Sequence, residues 1–126
     1  MGFAARLFSG PQELSSARDA DSPIDLVHLA RQTMGDRELE QELLALFDRQ
    51  AAQIADKLRS ARSDLTGAEL AHKLKGSARA IGAAAVAIAA DHYEHAARAG
   101  VLRQDDADRL VAATAEARAF LRELAN

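Results

Sequence analysis

TGAELAHKLKGSARAIGA, residues 66–83, is the stretch whose reading decides the fold. Thr66 and Glu69 have the spacing of a capping box: the Thr66 oxygen accepts from the Glu69 backbone N–H, and the Glu69 carboxylate reaches back. Leu65 and Leu70 flank it as a hydrophobic staple. This predicts a helix from Thr66 to about Ile81, with Gly82 just past its end. At about 100° per residue, Leu70, Leu74, Ala78 and Ile81 form its buried stripe. Lys75, Gly76 and Arg79 fall within roughly 60° of His72, on the outward face.

Working upstream, Asp36 caps a long helix whose apolar stripe is Leu39, Leu43, Leu46, Phe47, Ile54 and Leu58, lasting to about Ser60. Residues 62–65 form a tight connection. A shorter helix precedes it, with Leu26, Leu29, Ala30 and Met34 at helical spacing and Gly35 at its end. Residues 9–23, SGPQELSSARDADSP, read as a linker, and Phe3, Leu7 and Phe8 as one apolar turn before it. Downstream, a helix from Ala83 to about Ala99 carries a small-residue face of Ala83, Ala87, Ala90 and Ala97 and closes at Gly100. Asp105 and Asp106 favour the start of a last helix, with Leu110, Ala113, Ala117, Leu121 and Leu124 inward. Short joins make neighbours antiparallel. The expected fold is all-α: an antiparallel up-down four-helix bundle with a short additional N-terminal helix. The domain spans 24–126, after an N-terminal segment and linker at 1–23.

Composition agrees. Of 126 residues, 30 are Ala and 16 are Leu, with one Tyr, no Trp and two Pro. Alanine is the best helix former, and the residues that favour sheets are scarce. One domain fits the length, which excludes a kinase or a large barrel. The absence of cysteine removes disulfides, thiol catalysis and cysteine-ligated zinc. A net charge of −3 gives no general attraction to nucleic acid or anionic membrane. No apolar run is long enough to span a bilayer, residues 1–10 make a poor signal peptide, and Arg6 stands where a myristoylation signal needs Ser or Thr. A cytoplasmic location is expected.

His72 carries the chemistry. A neutral imidazole nitrogen is nucleophilic near neutral pH, because unperturbed histidine titrates near about 6.5. Lys75 is placed to neutralise an incoming phosphoryl group, and Arg79 to support it or stand in solvent. Gly76 needs a reason, since glycine inside a helix costs about 1 kcal/mol relative to Ala. Either a neighbour packs tightly there, or clearance lets a second molecule reach the imidazole; its outward place favours clearance.

At this point HKLKGSARAIGA, residues 72–83, resembles the signature of histidine-containing phosphotransfer (HPt) domains of two-component phosphorelays. His72, Lys75, Gly76, Ser77, Gly82 and Ala83 fill its places. IDLVHLARQTMGDRELEQELLALFDRQ (24–50) is similar to the family's opening helices, and YEHAAR (93–98) to its Leu-Glu-x-Ala-Ala-Arg segment, with Tyr93 in place of Leu. The resemblance covers about residues 24 to 124. It implies a phosphorylated His72 that accepts from the aspartyl phosphate of a response-regulator receiver domain and passes the group on, with a hybrid histidine kinase as a further partner. It also implies that the receiver brings the Mg²⁺, with no cofactor or metal on this chain, which would act as a monomer. The resemblance further implies a Gln or Glu of the following helix against the second imidazole nitrogen, a place that Glu94 fits by register; the alternative is a surface Glu94 paired with Arg98 at i,i+4. Leu44, Phe47, Ala51 and Ala80 are candidate receiver contacts, though Phe47 also suits the core.

Other readings remain open: the histidine-bearing domain of a chemotaxis-type or hybrid kinase, or a module that binds receivers without accepting phosphate. His92 and His95, at i,i+3 beside Asp91 and Glu94, lack a clear third metal ligand. His28 reads as a surface residue. Ser60 and Ser77 belong to no visible triad.

Overall fold

The computed structural model describes residues 22–61 and 63–125. The expected apolar turn of Phe3, Leu7 and Phe8, and most of the expected linker, lie outside the described residues. The described chain forms five helices and no strand: α1 Leu26–Thr33, α2 Arg37–Arg59, α3 Asp64–Ile81, α4 Ala84–Arg98 and α5 Gln104–Ala125.

Each early boundary has a local chemical cause. The Asp25 carboxylate caps α1 by accepting from His28 N at 3.1 Å, and Asp36 caps α2 by accepting from Leu39 N at 3.1 Å. Between them the chain turns through Met34 and Gly35, both left-handed, at φ 55° and 80°. Met34 therefore leaves the expected stripe and is 94% exposed. Thr33 takes the buried place instead, its hydroxyl donating to Leu29 O and the Glu40 carboxylate at 3.0 Å.

The start of α3 differs from the expected capping box. Its cap is Ser63, whose Oγ accepts from Thr66 N at 3.1 Å and donates to Thr66 Oγ1 at 2.9 Å. Thr66 thus sits inside the first turn, and exposed Leu65 forms no staple over it. Packing extends the helix backwards: Gly67 and Ala68 are buried, and a Cβ on Gly67 would stand 2.7 Å from the Tyr93 hydroxyl of α4. Glycine lets the Tyr93 ring lie against this turn.

The core is mostly small. On α3 it takes Ala68, Ala71, Leu74, Ala78 and Ile81, and on α4 Val86, Ala87, Ala90, Tyr93 and Ala97. Leu70, expected in the buried stripe, is half-buried. From α2 the core takes Phe47, Ala51 and Ile54. Leu39 and Leu46 are exposed, because each lies about a quarter turn from Phe47 at 100° per residue. Leu124, in the last turn of α5, is also exposed, while Leu110, Thr114 and Ala117 are buried.

Helix α3 packs on α2 and α4, α4 on α5, and α5 returns to α2, where Arg118 and Asp48 pair at 2.8 Å. Helix α1 lies against α2 and α3, held by Asp25 N donating to Gly82 O at 2.9 Å. Only Gly82 and Ala83 join α3 to α4. Gly82 needs φ 83°, and its missing Cβ leaves room for Asp25 O, which would stand 2.9 Å away. This close α3–α4 seam positions the site. No described helix is long and apolar enough to cross a membrane.

Candidate functional site

The mid-section of α3 presents His72 to solvent, its side chain 64% exposed. Across the seam, buried Glu94 of α4 puts Oε2 at 3.0 Å from His72 Nδ1. Glu94 does not stand alone. Lys75 Nζ donates to its Oε1 at 2.7 Å, and Arg98 Nε donates to its Oε2 at 3.0 Å. Lys75 also donates to Asp91 Oδ1 at 3.0 Å, and His95 Nδ1 lies 2.9 Å from the Asp91 carbonyl oxygen. A polar chain therefore runs His72–Glu94–Lys75–Asp91–His95, with Arg98 joined at Glu94.

This arrangement settles charge states. The Lys75 hydrogen bond, with those of His72 and Arg98, outweighs desolvation and pushes the Glu94 carboxyl down from 4.5 to about 2. Lys75 is held above its usual range first by its hydrogen bond to Glu94 and then by that to Asp91. The Asp91 carboxyl is lowered, chiefly by Lys75.

An ionised Glu94 can only accept. In a neutral His72 the ring proton facing it therefore sits on Nδ1, and Nε2 keeps its lone pair. The ring is oriented by Glu94, and its Nε2 faces no bonding partner among the described residues.

Gly76 lies one turn further along α3. A Cβ there would meet nothing within 4 Å, so no contact within the described chain demands glycine. Arg79 is exposed, and its charge helps lower Asp91. His72, Gly76 and Arg79 thus share the outward face. Lys75 does not: its side chain is only 11% exposed, drawn into the seam by two carboxylates. Helical phase places Lys75 near His72, but its length lets it bend away from solvent toward buried charge.

Glu94 lies against His72 at the place the resemblance implies and also pairs with Arg98, but it is buried and not the surface residue of the alternative. Asp91 and Arg98 are members that helix phase did not assign to the site. Their signal is a carboxylate pair at i,i+3 on α4, opposite a lysine three residues after the histidine. Among the candidate contacts, Phe47 and Ala51 belong to the core, Leu44 is half-buried and Ala80 exposed. His28 is half-buried, its Nε2 3.2 Å from the Arg79 carbonyl oxygen, and it helps latch α1 to the end of α3. Ser77 Oγ donates to Gln50 Oε1 at 2.8 Å, a link between α2 and α3. No three His, Asp or Glu side chains among the described residues form a group able to hold a metal.

No protein-family model matches this sequence, and neither a curated protein nor a solved structure matches it.

Proposed function

We propose that the protein is a histidine phosphotransfer protein that accepts a phosphoryl group on His72 from the aspartyl phosphate of a receiver domain and passes it to another receiver. The observation that carries the reading is the exposed imidazole, its Nδ1 bound to a buried anionic carboxylate and its Nε2 free of partners among the described residues. Open space at Gly76 beside it supports approach by a folded partner. The reading includes an antiparallel up-down arrangement of α2 to α5, with the protein acting as a cytosolic monomer.

In the proposed step, Nε2 attacks phosphorus in line. An N–P bond forms as the P–O bond to the receiver's aspartate breaks, and that carboxylate leaves with the electron pair. Such transfer is loose and metaphosphate-like, so catalysis rests on positioning and charge. The Nδ1 proton remains against Glu94, which stabilises the positive ring as the bond forms. Mg²⁺ belongs to the receiver in this reading, where it neutralises the phosphoryl oxygens.

The test is incubation with phosphorylated receivers and Mg²⁺. Acid-labile, alkali-stable phosphate is expected on the wild-type protein and none on His72→Gln. No label from any receiver of the source organism, or equal labelling of His72→Gln, refutes the reading.

A further inference from the structure

An apolar groove of about 280 Å³ runs between α2 and α5, lined by Gln41, Leu44, Ala45, Leu121, Leu124 and Ala125. Five of these six are apolar. Leu124 is 47% exposed, and Leu44 and Leu121 are half-buried. Of the seams that join α2 to α3, α3 to α4, α4 to α5 and α5 to α2, this last is the least closely packed. It closes one turn further along, where Asp48 and Arg118 pair at 2.8 Å. A contiguous apolar surface left in water favours a covering partner. The groove between α4 and α5 is less apolar: exposed Ile88 shares it with His92, Asp106 and Arg109.

The chain itself holds a fitting occupant. It has four Phe in all. Phe47 is core and Phe120 packs against the core; the other two, Phe3 and Phe8, stand with Leu7 in residues 1–21, outside the described residues. The described chain begins close to the groove. Ile24 is fully buried, and Asp25 is tied to Gly82 O at 2.9 Å. Helix α1 then runs about 12 Å to Thr33, whose hydroxyl bonds Glu40, the neighbour of Gln41 in the groove. Residues 9–21 can span up to roughly 45 Å, several times that distance. Charge agrees with the placement. Residues 1–8 carry one charged side chain, Arg6. The first two turns of α2 and the last turn of α5, which bound the groove, carry Glu38, Glu40, Glu42 and Glu123 against Arg37 and Arg122.

We propose that the α2–α5 groove is the docking site of residues 3–8 of the same chain, with Phe3, Leu7 and Phe8 covering Leu44, Leu121 and Leu124. The segment then acts as a strap that closes the loosest seam of an alanine-rich body with the aromatic bulk that body lacks. This seam is separate from the α3–α4 seam that holds His72, so the inference does not depend on the role of that residue.

The test is NMR on the whole 126-residue chain with labelled methyl groups and phenylalanine rings. Nuclear Overhauser contacts are expected from the Phe3 and Phe8 rings to the methyl groups of Leu44, Leu121 and Leu124. They are expected to persist on dilution and to be absent between copies in a sample mixed from two labelling patterns. Phe3→Ser combined with Phe8→Ser is expected to remove them and to lower Tm by about 4 °C or more. Contacts of the two rings with Ile88 and Ala113 instead put the segment in the α4–α5 groove and overturn the proposal. Contacts found only between copies give the groove to a second chain and overturn it as well. Absence of contacts from both rings overturns it whatever the Tm of the double variant.

Discussion

Replacing Gly76 by Ala is expected to make the protein more stable and, under the proposed function, slower in phosphoryl transfer. Gly76 is exposed in the middle of α3, with helical backbone and nothing within 4 Å of an added Cβ. Alanine therefore gains helix propensity without a clash. The gain is about 1 kcal/mol, from a less disordered unfolded chain and better helix formation. For a domain of about 100 residues that raises Tm by roughly 4–8 °C. Thermal unfolding followed by circular dichroism at 222 nm measures it. The same methyl group stands on the outward face one turn from His72, where, in the proposed function, a receiver would approach. Overpacking a close contact costs about 1–3 kcal/mol, equivalent to roughly a 5- to 160-fold slower transfer. Gly76→Leu is expected to unfold no earlier than wild type and to transfer more slowly still. A lower Tm for Gly76→Ala refutes the argument from open space. Wild-type transfer rates in both variants refute the argument from clearance.

Gly67→Ala is expected to have the opposite effect on stability, since its Cβ would meet the buried Tyr93 hydroxyl at 2.7 Å. A net loss of up to about 2 kcal/mol is expected after the helix gain, and Tyr93→Phe in the same chain should restore part of it in urea titrations. Glu94→Gln should slow phosphoryl acceptance by about tenfold, the order of one lost charge-assisted hydrogen bond, with unchanged helix content; rates from a phosphorylated receiver measure it. Glu94 is depressed from 4.5 to about 2 in the fold, so its stabilising contribution is present above 4.5 and disappears as pH falls toward about 2. Urea midpoints measured across that window should fall with pH in the wild type and fall less steeply in Glu94→Gln.

Much of the helix pattern is legible because it depends on short-range rules. Asp36 caps its own helix, Gly82 and Gly100 adopt positive φ, and the small face of α4 is buried as its spacing requires. The boundary read with most detail, the Thr66–Glu69 capping box, is displaced to Ser63. Two local caps compete there; Ser63 takes the role, and the turn that it opens carries Gly67 against Tyr93. Met34 is misplaced for a related reason. Helical spacing continues through it, but the backbone has already turned left-handed to enter α2.

The sequence by itself determined the helical class, the outward face of His72 and the oddity of Gly76, because these follow from propensity, periodicity and the cost of glycine. Only the tertiary structure decided the electrostatics. It brought α3 and α4 close enough for Lys75 to leave the solvent face and pair with Glu94 and Asp91, and it placed Arg98 on the same Glu94 oxygen as the His72 ring. Periodicity gives the direction in which a Cα–Cβ bond leaves a helix. It does not give where a long, flexible cation ends, which depends on the carboxylates that another helix buries beside it.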